Sequence, residues 1–271
     1  MSEERSMSIT LTGKLIIEGT VRTITGLHIG GAATGLEIGG VDNIVVRNSL
    51  DNRPYIPGSS LKGKMRSLLE RRLGRPLNRY ISRGRVEVRI HECDDEHTYR
   101  TCDLCKVFGV AGDQPFATPT RLYVRDVPLN EEDAGRLEQM DTEFPYTEIK
   151  WEAAIDRVTS AAVPRQFERV PAGICFSPLQ MVFNFYQGDD LALLRRLFEA
   201  LELLEDDYLG GMGTRGYGRI AFEELTLILR PAAYYAGQAE QRTIRDKASL
   251  AVLRGQLDDL VAEIGRLLGE D

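Results

Sequence analysis

Apolar positions along this chain repeat with two periods, and the switches between them predict six core elements. In residues 9–24, Ile9, Leu11, Leu15 and Ile17 share one face of a strand. After Pro57-Gly58-Ser59-Ser60, the residues Leu61, Met65, Leu68, Leu69 and Leu73 return at helical spacing across 58–74, with a serine as the N-cap. A short strand follows within 119–127. Leu179, Met181, Phe183 and Phe185 then alternate as a strand. Leu191, Leu194, Leu197, Phe198, Leu201 and Leu204 form a helix stripe, and Ile220, Phe222, Leu225, Leu227 and Leu229 close with a strand. The order β-α-β-β-α-β within 9–24, 58–74, 119–127 and 177–229 predicts an α+β, ferredoxin-like core. Further on, Leu250, Leu253, Leu257, Leu260, Ile264 and Leu267 predict one amphipathic helix over about 241–268. Packing on its own domain is one role for it, and pairing with a partner helix is the alternative.

Between these elements lie insertions at 25–57, 75–118 and 128–176. Loops of that length are uncommon unless they do something. The chain has 271 residues, enough for one large domain or two small ones, and its 42% apolar content supports a core. No run of eighteen apolar residues predicts a membrane span. The acidic, polar start Met1-Ser2-Glu3-Glu4-Arg5 does not read as a signal peptide, so the expected compartment is the cytoplasm. A net charge of −7 taken alone argues against nucleic-acid binding. The charge is uneven, however. From Arg53 to Arg89 there are eleven basic residues and two acidic ones, Glu70 and Glu87, so 11 − 2 = +9. A basic face on an acidic body can hold a polyanion, because screening confines the field to about 10 Å. A solvated helix face is the other reading.

Three places could carry chemistry. The first is His91-x-Cys93…His97…Cys102-x-x-Cys105, which gathers three of the four cysteines and two of the three histidines within fifteen residues. A CxxC supplies two thiolates from one turn, and tetrahedral zinc needs two more ligands nearby. Cys93 and a histidine complete a structural zinc site, with His91 preferred over His97. A redox CxxC would not need the added His-x-Cys, and a disulfide does not suit a cytosolic chain. Cys175 reads as an inert buried thiol.

The second place is Gly26-Leu27-His28-Ile29-Gly30-Gly31 with Ile38-Gly39-Gly40-Val41-Asp42-Asn43. Here His28 and Asp42 could bind a metal or assist attack by a hydroxyl, unless Asp42 is only a turn residue. The third is 146–171, where Lys150, Trp151, Arg157, Arg165, Gln166, Phe167, Glu168 and Arg169 mix cations with aromatics, as a hairpin over nucleic acid would. Finally, Gly210-Gly211-Met212-Gly213-Thr214-Arg215-Gly216-Tyr217-Gly218 has five glycines in nine residues. It is neither a Walker loop nor a Rossmann loop. Arg215 suits a phosphate there, and Tyr217 a base.

Taken with Ile56-Pro57-Gly58-Ser59-Ser60-Leu61-Lys62-Gly63-Lys64-Met65-Arg66, Ile155-Asp156-Arg157-Val158-Thr159 and Pro164-Arg165-Gln166, these stretches resemble the RAMP superfamily of CRISPR proteins. Within it they are similar to the backbone subunits of type III-A (Csm) effector complexes. The resemblance spans about 9–229, in order, and leaves the tail from 236 outside it. It implies a single RAMP domain over 1–271 with an RNA-recognition-motif-like core, a zinc-containing lid at 75–118 and a thumb hairpin within 128–176. Copies would stack along a guide RNA beside other Csm subunits, the thumb displacing a base at a fixed interval. Each copy would cut the paired target RNA with its loop aspartate, Asp42, using Mg²⁺ or another divalent metal. His91, Cys93, Cys102 and Cys105 would hold the lid zinc. The core lacks the paired aromatics of an ordinary RNA-recognition motif, so contacts would run through loops and a helix start. The RNA-binding residues would be His28, Ser59, Ser60, Lys62, Lys64, Arg66, Arg157, Arg165, Gln166, Arg169, Arg215 and Tyr217. Attack by the target's own 2′-OH would leave cyclic-phosphate and 5′-hydroxyl ends. A non-catalytic RNA scaffold and a stand-alone repeat-processing ribonuclease of the same superfamily are the alternatives.

Overall fold

Alternation of apolar residues in Gly13–Thr23 (β1) buries Leu15, Ile17 and Val21 completely, and β1 becomes the centre of the main sheet. The structure, a computed structural model, describes residues 9–31, 44–83, 87–112, 114–140, 142–186 and 190–269. In chain order there follow β2 (Tyr55–Ile56), α1 (Gly58–Arg72), β3 (Arg79–Arg83), β4 (Glu87–Ile90), α2 (Glu96–Arg100) and α3 (Asp103–Phe108). Then come β5 (Leu122–Val124), β6 (Val127–Pro128), α4 (Glu131–Glu138), β7 (Glu148–Ile155), β8 (Ala162–Arg169), β9 (Cys175–Phe185) and α5 (Asp190–Asp206). A 3₁₀ turn at Gly213–Arg215, β10 (Ile220–Pro231), α6 (Ala232–Tyr235), β11 (Arg242–Ala248), α7 (Leu250–Gly255) and α8 (Leu257–Leu268) complete it.

The main sheet runs β11-β10-β1-β9-β5, with every neighbour antiparallel. Without β11 this is the order expected of a ferredoxin-like β-α-β-β-α-β unit. Pairing on both sides of β1 shifts around Gly19, where a Cβ would come within 2.9 Å of the Glu223 carbonyl oxygen. Helices α1 and α5 pack against one another and bury Leu61, Met65, Leu69, Leu194, Leu197, Phe198 and Leu201 with the sheet. Burying side chains of this size is worth about 1.5–3 kcal/mol each before entropy is charged against it.

Two expectations are corrected. The segment 241–268 is not one helix. Residues 242–248 add β11 to the sheet edge, and a break at Gln256 divides the remainder into α7 and α8. Only Ile244 of β11 is buried, so its pattern is too polar to read as a strand. Nor does a serine cap α1. Gly58 donates its backbone N–H to Asp126 Oδ1 at 2.7 Å, and Ser60 and Leu61 donate theirs to the Pro57 carbonyl. A Cβ on Gly58 would meet the Val124 carbonyl oxygen at 2.4 Å, so the helix start is pressed against β5.

Candidate metal centre and nucleic-acid interface

Four donors converge where the β3–β4 hairpin meets α3. The ligand atoms of His91, Cys93, Cys102 and Cys105 all lie within 4.8 Å of one another, and all four residues are buried. His91 Nε2 is 3.4 Å from Cys102 Sγ and 3.8 Å from Cys93 Sγ. A tetrahedron with Zn–S bonds of about 2.3 Å sets its ligands about 3.8 Å apart, so this set fits zinc after small adjustments. The Pro76 carbonyl oxygen lies 3.0 Å from His91 Nδ1, placing the ring proton there and leaving Nε2 to coordinate. His97 is exposed on α2 and outside the cluster, so His91 is the fourth donor. A hydrogen bond with the Cys105 side chain holds the Cys102 thiol well below the ordinary range, against burial and with help from the Cys105 backbone, His91 and Cys93. Cys105 is pushed up by that same bond and by burial, and Cys93 by burial first.

The glycine-rich stretches interlock. Gly211 donates its N–H to the His28 carbonyl at 2.8 Å, and Gly218 donates to the Gly26 carbonyl at 2.9 Å. Gly210 has φ +78°, and a Cβ there would sit 2.2 Å from the His28 oxygen, so only glycine lets the loops meet. His28 is 6% exposed, with Nδ1 2.7 Å from the Glu168 carbonyl oxygen. Gly31 and Ile44, which flank 32–43, are joined by a 2.9 Å backbone hydrogen bond, and Val46 bonds back to Ile29. Asp42 itself lies outside the described residues.

A carboxylate that the sequence offers only as part of the 146–171 stretch, with no role of its own, anchors this region. Glu168 is 2% exposed; its Oε2 accepts the Val45 N–H at 2.7 Å, and its Oε1 accepts from the Thr147 hydroxyl at 2.6 Å and from the Arg47 guanidinium. It therefore ties the base of the β7–β8 hairpin to the chain just beyond 32–43. Arg47, Asn48, Ser49, Tyr55, Asp126 and Pro128 line an adjoining open groove of about 350 Å³.

The β7–β8 hairpin forms a sheet of its own. Its turn is held by Asp156, which accepts from the Val158 and Thr159 backbones, and the surrounding apolar side chains are bare: Val158 is 91% exposed, and Ile155 and Val163 are also exposed. Arg157 and Arg165 are exposed with no carboxylate in ion-pair reach among the described residues, and Gln166 is half-buried.

The remaining expected contacts are distributed unevenly. Ser59 is exposed at the start of α1, and Ser60 and Lys62 are partly covered. Burial, then the charge of Arg66, lowers the Lys62 pKa. Lys64 is bound within the protein, 3.1 Å from Asp207 and over the Tyr208 ring at 3.5 Å. Arg66 is likewise consumed, by Glu70 and by the His91 and Gly109 carbonyls. Arg169 bridges Glu148 at 2.7 Å and packs over Gly26. Arg215 is exposed, 3.5 Å from Glu152. Tyr217 does not offer a stacking face. It is 1% exposed, with Lys150 and Arg169 beside its ring at 4.3 and 5.2 Å, because the hairpin base closes over it. Burial, then the neighbouring Glu152 carboxylate, pushes its phenol up to about 12. Part of the +9 segment is paired within the fold. Arg53 pairs with Glu131, Arg71 with Asp207 and Arg72 with Glu199. Cys175 is half-buried beside Asp133 and Arg22 rather than enclosed in the core.

This architecture has close counterparts. A family model described as the RAMP superfamily matches residues 20–221. The chain belongs to the RAMP superfamily. It is 40% identical over 257 residues to the CRISPR system Cms endoribonuclease Csm3 of Methanocaldococcus jannaschii, covering 93% of this chain and 96% of the relative. The Csm3 endoribonuclease of Methanothermobacter thermautotrophicus is 40% identical over 248 residues, covering 87% and 94%. Among solved structures, Csm3 in a Csm3–Csm4 subcomplex of a type III-A CRISPR-Cas interference complex superposes with TM-score 0.60 at 33% identity, covering 93% of this RAMP chain and 98% of the other. The Csm3 crystal structure from Methanopyrus kandleri shares the fold, with TM-score 0.64 at 22% identity over 94% and 99%. Among the described residues, no helix is long and apolar enough to cross a membrane.

Proposed function

We propose that this RAMP chain is an endoribonuclease serving as the repeating backbone subunit of a type III-A CRISPR interference complex, where it holds guide RNA and cuts the complementary target. One observation carries this reading: identity of 40% runs almost end to end with an endoribonuclease of that name. Residues 1–271 form one RAMP domain. The insertion at 75–118 is its lid, pinned by zinc on His91, Cys93, Cys102 and Cys105. The insertion at 128–176 is its thumb.

The bare apolar tip of Ile155, Val158 and Val163 supports a thumb that wedges between bases, since burying those side chains against a base offsets the lost stacking. Unpaired Arg157 and Arg165 suit the flanking phosphates, as do Arg215 and the half-covered Lys62, whose desolvated cation gains from an anionic partner. Other copies of the chain and other Csm subunits complete the particle.

Cleavage follows from geometry the thumb imposes. A nucleotide taken out of the stack can bring its 2′-oxygen in line with the adjacent phosphorus. As base, Asp42 accepts the 2′-OH proton, the 2′-oxygen bonds to phosphorus as the bond to the 5′-oxygen breaks, and the 5′-oxygen leaves with a proton from water. The products are a 2′,3′-cyclic phosphate and a 5′-hydroxyl. In the alternative role Asp42 would hold a divalent cation such as Mg²⁺, which would supply positive charge to the phosphoryl oxygens. The buried Glu168–Arg47 pair steadies the chain just beyond this loop.

The test is assembled complex with labelled target RNA, parent against Asp42→Ala. Guide binding should survive in the variant and cleavage should stop at every site. A 2′-deoxy substitution at the scissile nucleotide should also stop it. Undiminished cleavage by Asp42→Ala would remove this residue from the mechanism.

A further inference from the structure

The sequence places Arg66 among the RNA contacts, but its surroundings assign it a different task. Its side chain is only 15% exposed although it lies on α1, and all three guanidinium nitrogens are used. Nη2 donates to the His91 carbonyl at 2.6 Å, Nη1 to the Gly109 carbonyl at 3.1 Å, and Nε to Glu70 Oε1 at 3.2 Å. Glu70, itself 5% exposed, accepts the His91 backbone N–H at 3.0 Å on that same oxygen. His91 is one of the four metal donors. Gly109 ends α3, the helix that carries Cys105 and is capped at Cys102. One guanidinium therefore grips both sides of the metal knuckle, the His91 side and the Cys102–Cys105 side, and fastens them to a core helix.

We infer that Arg66, with Glu70, is a positioning residue of the zinc site: it holds the two ligand-bearing segments at coordination distance, and so governs how tightly the metal is kept. The inference rests on the zinc reading of the four donors. The knuckle's own helices, of five and six residues, are too short to hold their geometry unaided. A planar fork with several fixed donors suits the bridging of three acceptors; a lysine ammonium, a point donor on a flexible stem, does not. Groups that orient metal ligands from behind typically change metal affinity 10- to 100-fold when removed.

The experiment measures zinc in the full-length chain by metal analysis, then the rate of zinc transfer to an excess of a coloured chelator. Parent, Arg66→Met, Arg66→Lys and Lys64→Ala are compared. Arg66→Met should release zinc at least about tenfold faster than the parent. Arg66→Lys should fall between the two, and it carries the test should Arg66→Met fail to fold. Lys64→Ala loses an α1 ion pair that does not touch the knuckle, so it should match the parent and separates positioning from general loosening of the helix. In parallel, the slope of RNA affinity against salt should be unchanged in both Arg66 variants, whereas a lost phosphate contact lowers it by about one. Parent-like zinc release in both Arg66 variants, equal acceleration in Lys64→Ala, or a reduced salt slope would overturn the assignment. A parent chain with no bound zinc would instead overturn the metal reading beneath it.

Discussion

Glu168→Ala should be among the most damaging single substitutions outside the apolar core. The carboxylate is 2% exposed and accepts from a backbone N–H, a hydroxyl and a guanidinium, three donors drawn from two insertions. Its removal leaves Arg47, 16% exposed, without its counter-charge, and orphans the buried Val45 N–H. Breaking one side of a buried pair costs about 3–5 kcal/mol, and an orphaned buried donor about 1–3. The two overlap, because Arg47 can still donate to the Asn52 carbonyl and can turn toward water. The net expectation is about 3–5 kcal/mol, or roughly 10 °C in Tm for a chain of this size. Glu168→Gln keeps one oxygen acceptor and replaces the other with an NH2 that cannot accept, so it should cost about 1–3 kcal/mol, less than Glu168→Ala. Urea unfolding followed by far-UV circular dichroism measures both. The single tryptophan, Trp151, stands exposed on the hairpin and would report only local change. A Glu168→Ala cost below about 1 kcal/mol would refute the anchoring argument, and equal costs for the two variants would refute its electrostatic part.

Other outcomes follow from the same geometry. Gly210→Ala places a Cβ 2.2 Å from the His28 carbonyl at a φ of +78°, so it should part the two glycine loops and lower thermal stability; a parent-like melting curve would contradict this. On the proposed zinc site, Cys102→Ser should hold less zinc than the parent and expose 91–105 to protease, since structural zinc supplies folding energy; metal analysis and limited proteolysis check it, and a parent without zinc would refute it. Tyr217, with its phenol raised to about 12, holds its proton more tightly folded than unfolded. That stability is whole below about pH 10 and is lost as pH rises through the folded value. An alkaline phenolate titration of Tyr217→Phe should lack the last-ionising group, and an unchanged curve would count against the burial argument.

The features legible in the sequence are those the chain encodes locally. The strands around Leu15 and Phe183 and the stripe from Leu191 to Leu204 follow from spacing alone. The metal donors are legible because all four fall within fifteen residues and the chemistry of zinc restricts the donor types. The features that escape such a reading depend on remote partners. The α1 start is capped by Asp126, which is 68 residues away, and Glu168 reaches 123 residues back to Val45. Tyr217 sits between glycines and reads as exposed, yet its burial is decided by a hairpin whose strand ends are distant in sequence. The Val158 tip agrees with the projecting hairpin that 146–171 suggests, since it stands 91% exposed.

The distribution of charge decides how an acidic chain can serve an RNA. The run from Arg53 to Arg89 has the composition of an electrostatic footprint, but Glu199 of α5 and Asp207 just beyond it return carboxylates to it, and Arg66 is spent on the His91 and Gly109 carbonyls and Glu70. Pairs of this kind weaken the field of the segment, which salt confines to about 10 Å. Among the described residues, cations with no carboxylate in ion-pair reach include Arg157 and Arg165, projecting on the hairpin, and the half-desolvated Lys62 beside the start of α1. On the proposed function these touch the nucleic acid only once it is threaded under the hairpin. Affinity then depends on fit to an extended strand held by several copies in register, rather than on the net charge of any one of them. A chain with net charge −7 is compatible with that arrangement, and the same acidity discourages stray RNA from occupying the site.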